Sequence, residues 1–380
     1  MISFNLNSAN QILVNPKISA DEKSVLIALK NEFEIQAGKL GFFLLTSSGS
    51  SQNNNTSVKL IALSIEKVLN SARRFNQYFK ASENDHWGLV LPDFHVAGLG
   101  IRARAFLADA QVFVKEWETD NFTTWIQENK IHFISLVPAQ VFDLVQKKII
   151  APVAVKKIFV GAGSLNFELR NQALKLNWPI VETYGMTETA SMIAVKEAEF
   201  FQVLPGVEVK IDLDLLSIKC DSLLTAKIQK VANQIEVKKI HENSWYLTED
   251  RVELFMGTNE IFLKFLGRKT DYIKILGEGV SLSEIRSKLS ELVLLKGINF
   301  TEFELLALED TRAGYKLVLA VENTVNKPKA SELMEFYNRA CRPYEKILQC
   351  VVVRQIPRTE LGKLKSDELK RIVTEELKKG

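Results

Sequence analysis

The feature that most constrains this chain is an alternation that holds from residue 41 to residue 182. Short apolar runs recur at 41–45, 87–91, 111–114, 133–137, 157–160 and 179–182, and several of them close on Gly, Pro or a Ser/Thr cluster. Between them lie segments with apolar residues at helical spacing, at 64–80, 95–107, 121–128, 139–147 and 166–176. Apolar runs of this length suit buried strands, and a strand–helix–strand rhythm predicts a largely parallel sheet covered by helices. Ligands in such sheets gather beyond the carboxyl ends of the strands. The loops to watch are therefore 46–51, 92–95, 137–138, 161–164 and 183–189.

The flanks read differently. Residues 14–40 are expected to be helical, started by Ser19-Ala20-Asp21-Glu22. From about 200 to 265 the pattern changes to short β-like runs (207–211, 215–218, 261–266), which predicts a small β-rich subdomain. The stretch 267–279 is dense in Gly and charge and reads as a connection between domains. Beyond it, helices at 281–291, 330–340 and 366–378 mix with strands at 304–308, 316–321 and 350–353. A chain of 380 residues is too long for one ordinary core. The expected division is an N-terminal domain over 1–267 and a smaller α+β domain over 268–380.

Bulk charge excludes some partners. The chain has 49 basic and 46 acidic residues, a formal net charge of +3, which is too even for a nucleic-acid or membrane-surface protein. Three cysteines (Cys220, Cys341, Cys350) and four histidines (His86, His95, His132, His241) have no metal-ligand spacing, which argues against zinc and for a reduced, cytoplasmic protein. The N-terminus has no basic-then-apolar leader, and no apolar run approaches the ~20 residues needed to span a bilayer. A homodimer is left open.

Two stretches carry chemistry on their own residues. Thr46-Ser47-Ser48-Gly49-Ser50-Ser51 follows an apolar run, and its hydroxyls and backbone N–H groups could converge on a phosphate, although most such loops are only turns. Glu182-Thr183-Tyr184-Gly185-Met186-Thr187-Glu188-Thr189 is stronger. It offers a stacking ring, a close backbone approach, a hydroxyl for a phosphate and a carboxylate for Mg²⁺.

That second run resembles the Tyr-Gly-x-Thr-Glu signature of the adenylate-forming superfamily, which includes acyl- and aryl-CoA ligases. Other matches follow in order. Thr46–Ser51 with Lys59 resembles the family's phosphate loop, Trp245-Tyr246-Leu247-Thr248-Glu249-Asp250 its ribose-binding element, and Gly267-Arg268-Lys269-Thr270-Asp271-Tyr272-Ile273-Lys274 its hinge. Pro357-Arg358-Thr359-Glu360-Leu361-Gly362-Lys363 resembles the loop of its adenylation lysine. Among subfamilies the resemblance points to o-succinylbenzoate–CoA ligase of menaquinone synthesis, through Leu91-Pro92-x-x-His95-Val96-Ala97-Gly98-Leu99, Ser135-Leu136-Val137-Pro138-Ala139-Gln140 and Gly161-Ala162-Gly163-Ser164-Leu165.

The resemblance implies the adenylate-forming fold and an ATP- and Mg²⁺-dependent acid–CoA ligase. A carboxylic acid would be activated as its acyl-adenylate and passed to CoA. It implies nucleotide contacts from Thr46, Ser48, Gly49, Ser50, Lys59, Gly161, Ala162, Gly163, Thr183, Tyr184, Gly185, Asp250 and Arg268. Lys363 would act in adenylation, with Thr187 on the α-phosphate and Glu188 on Mg²⁺. His95, Gly185 and Met186 would line the acyl pocket. Lys274 and Gly277 would turn in for the thioester step, as the C-terminal lid exchanges one catalytic face for another. Arg104 lies nine residues after His95 and is a candidate for a second substrate carboxylate, with Arg102 competing for that role.

The departures are specific. The phosphate loop lacks its second Gly and its Pro and carries an Asn-rich insertion, Glu249 replaces a Gly, Thr270 stands where the hinge residue is commonly Asp or Lys, and the chain is short at its N-terminus. They keep two alternatives in play: a ligase for a different acid, or a nucleotide-binding homologue without turnover.

Overall fold

The computed structural model describes residues 2–46, 59–163, 165–231, 234–295, 302–323, 327–359 and 362–379. The first elements are β1 (Gln11–Leu13), α1 (Ala20–Ala37), β2 (Phe42–Thr46), β3 (Lys59–Ser64) and α2 (Ile65–Phe79). The alternating region follows as β4 (His86–Leu89), α3 (Val96–Ala108), β5 (Val112–Val114), α4 (Phe122–Glu128), β6 (Ile131–Leu136), α5 (Pro138–Gln146), β7 (Lys157–Val160), α6 (Phe167–Lys175) and β8 (Ile180–Met186). The β-rich stretch comprises β9 (Ser191–Lys196), β10 (Phe201–Val203), β11 (Glu208–Asp212), β12 (Leu215–Lys219), β13 (Ala226–Val231), β14 (Gln234–Lys239), β15 (Tyr246–Leu247), β16 (Asp250–Met256) and β17 (Ile261–Arg268). The C-terminal elements are β18 (Tyr272–Ile275), β19 (Glu278–Ser281), α7 (Leu282–Leu295), β20 (Phe303–Asp310), β21 (Gly314–Glu322), α8 (Lys327–Ala340), β22 (Ile347–Val353) and α9 (Ser366–Lys379).

The expected parallel sheet is present as half of a larger one. A nine-stranded sheet runs β16-β17-β10-β9-β8-β7-β6-β4-β5. Pairs from β5 across to β8 are parallel, as buried βαβ units require, and pairs from β8 across to β16 are antiparallel. A five-stranded sheet, β1-β2-β3-β13-β14, lies alongside it. The strands after residue 200 are thus β-rich as expected but divide among three sheets, because each edge they meet already offers unpaired backbone groups.

Helix starts follow local chemistry. Ser19 and Glu22 form the reciprocal cap of α1, so the helix begins there and not at residue 14. On α2, Ser64 caps Lys67 N–H, and Val68, Ala72 and Phe75 bury one face. Helix α3 is buried from Gly98 to Ala105, apart from half-buried Arg102. A Cβ on Gly98 would sit 2.3 Å from the Pro92 carbonyl oxygen, so only glycine lets the helix approach the strand-end turn so closely. This close seat carries Arg104 into the core.

Apolar clusters built from residues 26–263 are distinct from those built from residues 275–373. The expected connection at 267–279 includes most of the β18–β19 hairpin, whose Ile275 and Val280 are buried in the second set. No helix among the described residues is long and apolar enough to cross a membrane.

Candidate active site

The site lies where β8 leaves the parallel half of the sheet. The 183–189 stretch was expected to be a loop, yet β8 continues through Met186 because β9 pairs with it, Tyr184 facing Ala194 and Gly185 facing Met192. A single 3₁₀ turn, Thr187–Thr189, follows. Thr189 Oγ1 closes that turn, accepting from Met186 N–H at 3.2 Å and lying 2.7 Å from Ser191 O. A Cβ on Gly185 would fall 2.2 Å from the Ser191 carbonyl oxygen. Gly185→Ala is therefore expected to cost about 2–3 kcal/mol or more, read as a fall in denaturation midpoint.

Tyr184 donates its hydroxyl to Asp250 Oδ2 at 2.6 Å, and Arg268 Nε lies 3.6 Å from Asp250 Oδ1. Strand pairing sets this up, because Asp250 opens β16 directly opposite Arg268 at the end of β17. Thr248 fixes the turn before it, donating to Leu216 O at 2.8 Å and accepting from Asp250 N–H at 3.1 Å. Burial pushes the Asp250 carboxyl upward, against Tyr184 and Arg268, which hold it down. Burial, with Asp250 beside it, also pushes the Tyr184 hydroxyl well above its ordinary value, so it remains a donor.

Glu188 faces the same space. Lys227 Nζ lies 3.5 Å from Glu188 Oε1 and donates to the Tyr246 hydroxyl. Among the described residues no group of three or more His, Cys, Asp or Glu side chains could hold a metal. A lone carboxylate nevertheless suits Mg²⁺, which keeps several waters and takes one or two carboxylates plus substrate phosphates. Glu188 fits that ion by its donor chemistry.

Lys363 is brought to this cluster from the loop between β22 and α9. Gly362, at φ 72°, sits against the start of α5, with room for a Cβ only 3.8 Å from Ala139 Cβ. Thr359 holds the loop, donating its N–H to Lys363 O at 2.8 Å and accepting from Lys363 N–H at 3.2 Å. Burial and Arg268 pull the Lys363 ammonium below the ordinary lysine value, while Glu188 and Asp250 act in the opposite sense. Residues as far apart in the chain as Tyr184 and Lys363 thus share one electrostatic neighbourhood.

The other expected residues sort as follows. A Cβ on Gly161 would lie 2.7 Å from Thr183 Oγ1, and that hydroxyl donates to Val160 O at 3.2 Å. Ala162 adopts φ 65°, and Gly163 abuts Pro138. Thr46 ends β2 and Lys59 opens β3, while Ser48, Gly49, Ser50 and Ser164 lie outside the described residues. His95 precedes α3 with its ring 4.7 Å from that of Phe94. Met186 is half-buried at the end of β8. Lys274 and Gly277 are exposed on the β18–β19 hairpin, where Leu276 N–H bonds Ala313 O, and are not part of the Lys363 cluster.

The two arginines separate clearly. Arg102 pairs with Asp93 at 2.9 Å on a partly exposed face. Arg104 is 2% exposed, lies over the Phe75 ring at 4.0 Å and donates to Ser191 Oγ at 2.9 Å, while its Nε has no hydrogen-bond partner. Burial pulls its pKa down to about 9, so at neutral pH it is a charged group held in the core next to the strand β9. Lys227 carried no sequence signal, because it matters only through Glu188 and Tyr246, which lie elsewhere in the chain.

Residues 57–214 match the model of the AMP-binding enzyme family. The match spans less than half of the chain, and the fold is that of the adenylate-forming enzymes. Its curated relatives include 2-succinylbenzoate–CoA ligases: one of Lactococcus lactis is 25% identical over 329 residues (82% of this chain, 68% of the relative), and one of Bacillus subtilis is 25% identical over 325 residues (78% and 64%). The chain therefore spans about two thirds of the length of these relatives. Among solved structures, o-succinylbenzoate CoA synthetase from Bacillus subtilis in complex with the acyl-adenylate intermediate OSB-AMP gives a TM-score of 0.76 at 19% identity, covering 95% of this chain and 83% of that one. The same enzyme in complex with ATP and magnesium ion gives 0.70 at 19% identity, covering 86% and 69%.

Proposed function

We propose that this chain is an ATP-dependent acid–CoA ligase that converts o-succinylbenzoate, through its acyl-adenylate, to o-succinylbenzoyl-CoA. The observation that carries the acid assignment is Arg104, a buried guanidinium that has no carboxylate partner among the described residues and whose Nε makes no hydrogen bond to them. An acid with a second carboxylate satisfies that group; a simple fatty acid does not.

In the first step a substrate carboxylate oxygen attacks the α-phosphorus of ATP and pyrophosphate leaves. Asp250 and Arg268 hold the ribose hydroxyls, and Tyr184 is fixed beside them by its bond to Asp250. Thr187 contacts the α-phosphate, and Lys363 bridges the entering carboxylate and that phosphate as negative charge gathers there. Glu188 is the protein ligand for Mg²⁺, which when bound neutralises phosphate charge. Gly161, Ala162 and Gly163, with Gly185, admit the nucleotide against backbone, and His95 and Met186 line the acyl pocket. In the second step the CoA thiolate attacks the acyl carbonyl and AMP leaves.

The same proposal divides the chain at 267/268. The separate apolar clusters support that division, as does Gly267 at φ 126° beside Ser283. Rotation there would withdraw Lys363 and present Lys274 and Gly277 to the thioester step. A cytoplasmic location accords with three free cysteines. A homodimer belongs to this reading too and is checked by sedimentation.

The test is pyrophosphate release with ATP, Mg²⁺ and o-succinylbenzoate, with and without CoA, and products identified by mass. An o-succinylbenzoyl-CoA product is expected. Release only with other acids would overturn the named substrate, and ATP binding without release across an acid panel would make the chain a nucleotide-binding homologue without turnover.

A further inference from the structure

Lys227 has no part in the scheme above, yet its ammonium lies within ion-pair distance of the carboxylate proposed for Mg²⁺. Its Nζ lies 3.5 Å from Glu188 Oε1 and donates to the Tyr246 hydroxyl, whose ring it also approaches at 4.8 Å from the centroid. Strand pairing fixes its place, for β13 runs beside β3 with Lys227 opposite Ile61, two residues after Lys59. Glu188 is anchored on the same side, its carbonyl accepting from Leu224 N–H at 2.7 Å. Lys227 is only about one-third exposed and Glu188 less than one-fifth, so the pair is neither fully solvated nor locked in the core. Tyr246 stays a neutral donor and acceptor, since burial and Glu188 push its hydroxyl well above its ordinary value.

We infer that Lys227 is a resident counter-ion of the nucleotide site: its ammonium neutralises Glu188 when no metal is bound and competes with the divalent cation for that carboxylate. A lysine is a compact charge on a flexible stem, able to leave the carboxylate and turn to a phosphate oxygen when the metal arrives. Two properties follow. The site binds divalent metal more weakly than a bare Glu188 would, and it binds ATP without metal better than it would without Lys227. This gives a physical role to a cation in a chain whose phosphate loop lacks a Gly and the Pro of its family's pattern.

The inference rests on the proposed nucleotide site and is separable from it by binding measurements. Wild type, Lys227→Met and Lys227→Arg would be compared for ATP binding in EDTA by calorimetry, and for Mn²⁺ binding with a non-hydrolysable ATP analogue by electron paramagnetic resonance of the free ion. For a partly exposed pair the expected changes in Lys227→Met are about fivefold: tighter Mn²⁺ binding and weaker metal-free ATP binding. Lys227→Arg should keep wild-type behaviour in both. Unchanged affinities in Lys227→Met, with ATP bound normally by wild type, would overturn the inference alone. Weakening of metal and nucleotide together, with a lowered melting temperature, would also overturn it and leave Lys227 a structural residue. Failure of wild type to bind ATP at all would overturn the function and this inference with it.

Discussion

Replacing Lys363 by alanine is expected to lower o-succinylbenzoyl-adenylate formation about 10²–10³-fold while leaving thioester formation from supplied adenylate nearly unchanged. The reason lies in where the ammonium sits. It is delivered by a loop closed against α5 into the fields of Glu188, Asp250 and Arg268. Adenylation brings a carboxylate toward a phosphate, and a preorganised cation stabilises the charge that develops between them. Thioester formation separates the acyl group from AMP and has no such demand on this side chain. Quenched-flow measurement of both half-reactions is the check. Equal loss in the two would mean that Lys363 holds the lid closed rather than serving the first step.

The second large effect concerns Arg104. Arg104→Met is expected to lower kcat/KM for o-succinylbenzoate about 100-fold or more, because under the proposed assignment the second substrate carboxylate would lose a buried charged partner. An aryl acid lacking the second carboxylate should be barely affected. The same variant should be more stable without substrate, by about 1–3 kcal/mol, because the wild-type fold holds this guanidinium in the core against Phe75 and Ser191, with no carboxylate partner among the described residues. Opposite signs for substrate use and stability distinguish a substrate-binding arginine from a structural one. Loss of stability would place Arg104 among the packing residues and remove the main support for a dicarboxylic acid.

Much of the site was legible because its residues lie at strand ends, where sequence rhythm already directs attention. Tyr184, Glu188, Asp250, Arg268 and Lys363 fall within short motifs, and the structure gathers them into one electrostatic neighbourhood. Other features were illegible. β3 was hidden because its apolar run merges into the start of α2, and β9 because it follows the 182–189 motif without a turn of Gly or Pro. The choice between Arg102 and Arg104 was open because residues two positions apart on a helix point to nearly opposite sides, and the sequence does not say which side of α3 is buried. Asp93 on a partly exposed face takes one, and the core takes the other.

The sequence by itself determined the parallel half of the sheet, the helix capped by Ser19 and the motifs from which the candidate site is built. These depend on local periodicity, caps and residues adjacent in the chain. Only the tertiary structure decided that β8 runs on through Met186, that the β-rich stretch is shared among three sheets, and that Lys227 meets Glu188. Such contacts join positions tens to hundreds of residues apart, and their energy comes from pairing backbone edges and burying or neutralising charge. No local pattern records which distant edge or charge will be the partner.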